Sequence, residues 1–223
     1  PAASAPFAAE DPAAPPRTAR LEGTASLDRH HRAVGASVLV RPSDAYSPVR
    51  LTSADEKGTF VFDGLPEGTY RVELTREGLS PIAKDGVKVR FPYRAVVEVT
   101  FVSGPDDRRA HTTSQTGGRV KLRGAVSARG GGVVPEARIR LVRLDGEDDP
   151  RQTATLADGT FALDDVASGR VRLDVLGAGY LPVRAPLDLR EDARVDVLLV
   201  SQPANYVAPP LDLLPEEQPI PPP

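Results

Sequence analysis

Three residue types are missing from this 223-residue chain: it has no cysteine, no methionine and no tryptophan. Without cysteine there is no disulfide framework, no thiol nucleophile and no thiolate site for zinc or an iron–sulfur cluster. Without tryptophan, and with only six Phe and five Tyr, there is little material for a sugar-stacking platform. No stretch approaches the roughly 18 apolar residues of a membrane-spanning helix, so no direct membrane span is expected. An excess of positive charge is also absent. Residues 21–102 hold 11 basic and 11 acidic side chains, residues 119–200 hold 13 of each, and the net charge of −3 sits on Asp212, Glu216 and Glu217. Neutral bodies of mixed sign offer no broad face to phosphates, which argues against nucleic acid and anionic membrane surfaces as partners, and no nucleic acid is expected.

What the chain does have is an internal repeat. Shifted by 101 residues, Leu21-Glu22-Gly23-Thr24-Ala25-Ser26 falls on Leu122-Arg123-Gly124-Ala125-Val126-Ser127, and Gly58-Thr59-Phe60-Val61-Phe62-Asp63 falls on Gly159-Thr160-Phe161-Ala162-Leu163-Asp164. Only the last strand slips, with Val97-Glu98-Val99 matching Val195-Asp196-Val197. A period this long indicates tandem domains rather than a solenoid. Within each copy, apolar residues alternate with polar ones: Tyr70, Val72 and Leu74, then Val97, Val99 and Phe101; and Val171, Leu173 and Val175, then Val195, Val197 and Leu199. Such alternation puts one face on a core and the other in water. Turn residues separate the runs, among them Asp63-Gly64, Asp85-Gly86 and Asp158-Gly159. The expected fold is all-β: two tandem seven-stranded antiparallel β-sandwiches, residues 21–102 and 119–200, joined by a polar linker over 103–118.

Thirteen of the 23 prolines lie in residues 1–20 and 201–223. Composition reads both ends as extended, polyproline-like segments. Their apolar residues Phe7, Tyr206, Leu211, Leu213, Leu214 and Ile220 are the candidate partner-binding residues, docking in extended form onto protein subunits of a larger envelope or membrane-bound assembly. Packing along the chain's own domains is the alternative. The opening Pro1-Ala2-Ala3-Ser4-Ala5-Pro6 suits the stretch after a secretory signal or a lipid-anchored residue, so a periplasmic or cell-surface location is expected; a boundary chosen for expression is the other reading.

Asp55 through Val72, with Gly58-Thr59-Phe60-Val61-Phe62-Asp63-Gly64-Leu65-Pro66-Glu67-Gly68-Thr69-Tyr70 at its centre, resembles the signature of carboxypeptidase regulatory-like domains. These group with transthyretin-like and adhesin B-type domains. Ala157 through Val171 looks like the same motif with Leu-Pro replaced, and Gly23 and Gly124 echo the Gly-x-Val opening strand. The resemblance implies a sandwich with Phe60, Phe62, Phe161 and Leu163 pointing inward, and a non-catalytic appendage, stalk or assembly module. Adhesin B-type domains often carry a Lys–Asn isopeptide bond. Here the one Asn is Asn205, outside both copies, and the second copy has a single Lys, Lys121, so the usual bond is not expected.

No catalytic pattern emerges. His30 and His31 are adjacent, so on a strand they would face apart, and a solvated loop beside Asp28 explains them better than a metal site. The run Asp145-Gly146-Glu147-Asp148-Asp149 lacks the spaced ligand pattern of a calcium loop and reads as a charged hairpin tip. There is no Gly-x-Ser-x-Gly elbow, dinucleotide fingerprint or P-loop. Neither a cofactor nor a metal is expected. The alternative function is an adhesion or ligand-binding module for carbohydrate or peptide, for which exposed Tyr46 and Tyr93 would be the contacts. A transthyretin-type carrier channel would require a symmetric tetramer.

Overall fold

Alternating Val, Leu and Phe build strands along the whole of the described chain, which in the computed structural model comprises residues 17–44, 47–101, 118–144 and 150–206. Seven strands come from the first copy: β1 (Thr18–Ser26), β2 (Ser37–Pro42), β3 (Val49–Ser53), β4 (Thr59–Pro66), β5 (Gly68–Thr75), β6 (Ile82–Val89) and β7 (Arg94–Thr100). Seven more follow: β8 (Arg119–Ala128), β9 (Arg138–Arg143), β10 (Arg151–Ala154), β11 (Thr160–Ala167), β12 (Gly169–Leu176), β13 (Val183–Leu189) and β14 (Ala193–Leu199). The protein is all-β and sandwich-like. The first copy has a sheet β4-β1-β7 and a sheet β3-β2-β5-β6; the second has β11-β8-β14 and β10-β9-β12-β13. Most pairs are antiparallel, but β1–β7 and β8–β14 run parallel, because the last strand of each copy returns from the opposite sheet in the direction of the first.

The inward residues are those the alternation marks. Phe60, Phe62, Val72, Leu74, Val97, Val99 and Phe101 form one buried cluster with Leu21 and Leu65. Phe161, Leu163, Val171, Leu173, Val175, Val195, Val197 and Leu199 form the other. Each copy seats its first Phe over a glycine: a Cβ on Gly23 would stand 2.1 Å from the Val97 carbonyl oxygen and 2.4 Å from Phe60, and one on Gly124 2.4 Å from the Val195 carbonyl oxygen and 2.5 Å from Phe161. The opening glycine is therefore a packing requirement in both copies. Gly58 and Gly159 have φ of 70° and 75°, as their turn positions demand.

The two copies do not hang on the linker alone. β14 pairs in parallel with β3, Val195–Leu198 against Val49–Thr52, and this fuses a sheet of each copy into one of seven strands, β11-β8-β14-β3-β2-β5-β6. β2 is consequently buried on both sides. Val38 and Val40 point into the first core, whereas Leu39, with Leu51 of β3, enters the second. Burying a leucine contributes about 1.5–3 kcal/mol, so these two side chains alone give the junction several kcal/mol of apolar stabilisation. Hydroxyl groups of the first copy cover the polar margin. Ser53 Oγ donates to the Pro182 carbonyl at 2.8 Å, Thr75 Oγ1 to the Arg184 carbonyl at 3.0 Å, and the Arg184 N–H donates to Ser37 Oγ at 2.8 Å, so the outer edge of β13 is capped by side chains. Thr52 Oγ1 donates to the Leu198 carbonyl at 2.8 Å. Arg184–Glu77 at 2.7 Å and Arg129–Asp55 at 2.9 Å close the two ends of the seam.

Candidate functional site

Of the candidate docking residues, Tyr206 is described; Phe7, Leu211, Leu213, Leu214 and Ile220 lie outside the described residues. Beyond β14 the chain bonds back to its own second copy: Ser201 bridges to Tyr180, and the Gln202 N–H donates to the Gly179 carbonyl at 2.8 Å. A turn follows, with the Tyr206 N–H donating to the Pro203 carbonyl at 3.0 Å. The Tyr206 ring then lies over Gly35 of the first copy, its hydroxyl 3.1 Å from where a Cβ on that glycine would stand. Burial raises the Tyr206 phenol above its usual range, against the opposing pull of Arg76 and Arg184. The start of the C-terminal extension thus spans the seam between copies, and the absent Gly35 side chain makes room for it.

His30 and His31 sit in an exposed loop, as the sequence suggests. Asp28 Oδ1 accepts the backbone N–H groups of both, at 2.7 and 2.8 Å, and Asp28 Oδ2 lies 2.7 Å from His31 Nδ1. The His30 N–H above all, with the side chain and N–H of His31, pushes the Asp28 carboxyl down to about 2. This is a carboxylate closing a turn. Among the described residues no three His, Asp or Glu side chains gather where they could hold a metal ion. The acidic run 145–149 and Tyr46 lie outside the described residues.

Two surface features stand out. Tyr93 is 73% exposed and Phe91, two residues before it, is 53% exposed, on the turn from β6 into β7. The Phe91 N–H donates to Glu67 Oε1 at 2.7 Å and the Tyr93 N–H to the Arg90 carbonyl at 2.9 Å, so the backbone beneath the rings is fixed. The second feature is a hollow at one mouth of the second sandwich, rimmed by Arg119, Arg143 and Arg151. Sequence reading named Tyr93 but neither Phe91 nor the three arginines. For two of the three the signal lay in the differences between copies, since the first copy has Thr18 and Pro42 where the second has Arg119 and Arg143, whereas Arg151 has Arg50 as its counterpart.

Residues 121–200, within the second copy, match the family model of the carboxypeptidase regulatory-like domain. No curated protein matches the chain. Among solved structures, the minor pilin of Streptococcus agalactiae is similar over 86% of this chain and 99% of its own, with 11% identity and a TM-score of 0.32. A streptococcal ancillary pilin covers 83% of this chain, which spans 63% of it, at 14% identity and a TM-score of 0.31. The shaft pilin of Lactobacillus rhamnosus GG aligns over 87% of this chain and 100% of its own, at 11% identity and a TM-score of 0.31. Among the described residues no helix is long and apolar enough to cross a membrane.

Proposed function

We propose that the protein is a non-catalytic structural element of the periplasm or cell surface, in which two fused sandwiches form one rigid spacer and the Pro-rich termini dock onto protein subunits of a larger assembly. The observation that carries this reading is the continuous sheet through β14 and β3. A linker-joined pair of binding modules gains reach from slack, whereas a shared sheet, a shared core and capped edges fix one distance and one angle. The match to the carboxypeptidase regulatory-like domain supports an accessory role. Co-purification with envelope fractions, compared between the full chain and one ending at Tyr206, tests the docking. Loss of association on truncation is the expected result; unchanged association overturns docking through residues 207–223.

A second reading, adhesion to a carbohydrate or peptide, is favoured by the exposed Phe91 and Tyr93 on one fixed turn. Exposed rings on a held backbone lose little entropy on binding. A reproducible hit on a glycan or peptide array, lost in the Phe91→Ser/Tyr93→Ser variant, would place adhesion ahead of the spacer role.

A further inference from the structure

The copies diverge where β4 leads into β5 and β11 into β12. In the first copy the opening between the sheets is plugged by Tyr70, which is 4% exposed and donates its hydroxyl to the Pro66 carbonyl at 2.8 Å. At the equivalent position the second copy has Val171. Where the ring is missing there is a cavity of about 270 Å³, walled by the buried side chains of Leu141, Val166 and Val171. Arg119, Arg143 and Arg151 stand around its opening.

These arginines are held in place. Asp165 lies on the bulge of β11 with φ of 60°, where the first copy has Gly64 at 68°. A non-glycine residue in that conformation costs about 1–2 kcal/mol, and aspartate is among the side chains that tolerate it best. The Asp165 carbonyl accepts Arg119 Nη1 at 3.0 Å, and its Oδ2 lies 3.5 Å from Arg119 Nη1 and 3.8 Å from Arg151 Nη2. Arg143 Nη2 donates to the Ser168 carbonyl at 3.4 Å. The second copy has therefore exchanged a plug for a hollow, a glycine for a strained aspartate, and two uncharged rim residues for arginines.

We propose that this mouth binds an arylalkyl carboxylate: an aromatic ring filling the hollow left by the tyrosine, with its carboxylate at the guanidinium rim. A dry apolar cavity of roughly 150 Å³ accepts a benzene, so 270 Å³ leaves room for a ring and a short arm. Planar guanidinium forks match the two oxygens of a carboxylate. The group is the same whether it comes from a free acid or from an aromatic residue at the C-terminus of a peptide. The site is independent of the spacer role, since β14 and β3 are not among the strands that line it.

The full chain is titrated with phenylpropionate, with phenylpropionamide and with a short peptide ending in Phe, following the methyl resonances of Leu141, Val166 and Val171. The acid shifts these methyls, and the amide binds about tenfold more weakly because the charge-assisted bonds are lost. Val171→Tyr, which copies the plug of the first copy, abolishes binding. Arg119→Thr, also copied from the first copy, weakens the acid and leaves the amide unchanged, so a folding defect in one variant does not decide the matter. Either ranking of free acid and peptide supports the shared chemistry and identifies its source. Equal binding of acid and amide, undiminished binding by Val171→Tyr, or unmoved methyls at the highest soluble concentration overturns the proposal. So does binding that appears only when Asp145, Glu147, Asp148 and Asp149 are replaced by their amides, because the chain's own carboxylates would then compete for the rim.

Discussion

Leu39 and Arg140 stand at the same position of the two copies, yet Leu39 is 1% exposed inside the core of the second sandwich while Arg140 stays on the outer face of its sheet. The same contrast separates Leu51 from Gln152 and Ser37 from Arg138. A strand buried on both faces needs apolar or small residues at every position, whereas a strand with one wet face alternates. The differences between copies thus outline the contact between them. With Arg138 and Arg140 on β9 and Gln152 on β10, the second sandwich presents charged and polar side chains where the first presents Ser37, Leu39 and Leu51, so it lacks the leucine face through which the copies meet.

The first prediction follows from that contrast. Leu39→Arg gives the first copy the residue its counterpart carries, and places an unpaired guanidinium in the second core. The expected loss of unfolding free energy is about 3–5 kcal/mol, the usual cost of an uncompensated buried charge. Urea unfolding followed by circular dichroism measures it. A loss of less than about 1 kcal/mol would mean that the copies do not pack through this face.

Acid should loosen the seam through Asp55. Burial alone would raise its carboxyl, but the Thr59 hydroxyl and N–H, the Lys57 N–H and Arg129 outweigh burial and hold it below the ordinary value. The folded state therefore binds this proton less tightly than the unfolded chain. Its contribution to stability is complete above the unfolded value of about 3.9 and is lost as the pH falls through the lower folded value. Wild type should accordingly lose more stability between about pH 5 and about pH 3 than Asp55→Asn does. Parallel pH profiles for the two proteins would remove Asp55 from the acid response.

The alternation of Tyr70, Val72 and Leu74, and its repeat at Val171, Leu173 and Val175, made the strands and both cores legible, because period-two burial is a local property of the chain. The seam was not legible. Ser37-Val38-Leu39-Val40 reads as a strand without a wet face, but nothing local says that residues some 150 positions later supply the cover. Nothing local to Ser53 or Thr75 says that their hydroxyls meet the edge of β13. The parallel pairing of β3 with β14 left no mark of its own, since either strand alone suits an edge. The arginine-rimmed hollow could have been found by asking what replaces Tyr70 in the repeat, which is a question about a missing ring rather than about a motif.

Gly23→Ala tests the repeated glycine. Its added methyl would meet the Val97 carbonyl oxygen and the Phe60 ring together, so either the parallel β1–β7 ladder or the core must move. Overpacking of this kind costs about 1–3 kcal/mol and more where backbone stands in the way. Thermal unfolding of Gly23→Ala and Gly124→Ala should show comparable losses, because both glycines face a carbonyl of the last strand and the first Phe of the motif. A neutral result at either position would show that the strand separates without cost.

Tyr70→Val carries the first copy in the direction the second has taken. It removes a ring that fills the mouth of the sandwich and a hydroxyl bonded to the Pro66 carbonyl. Removing a buried aromatic leaves a cavity, and such truncations cost about 3–5 kcal/mol when no atom refills the space. The valine retains part of the contact, so the expected loss is about 2–4 kcal/mol, measured by chemical unfolding. The variant should also be a poor receptor for phenylpropionate, since Thr18 and Pro42 stand where the second copy has Arg119 and Arg143. Adding Thr18→Arg and Pro42→Arg to Tyr70→Val should confer the binding that the valine alone does not. That gain in the first copy, read from the methyl resonances of Val40 and Leu65, would show that the hollow and the guanidinium rim together suffice. If the triple variant folds and still ignores the acid, then Asp165, whose counterpart Gly64 cannot orient an arginine, is the remaining requirement.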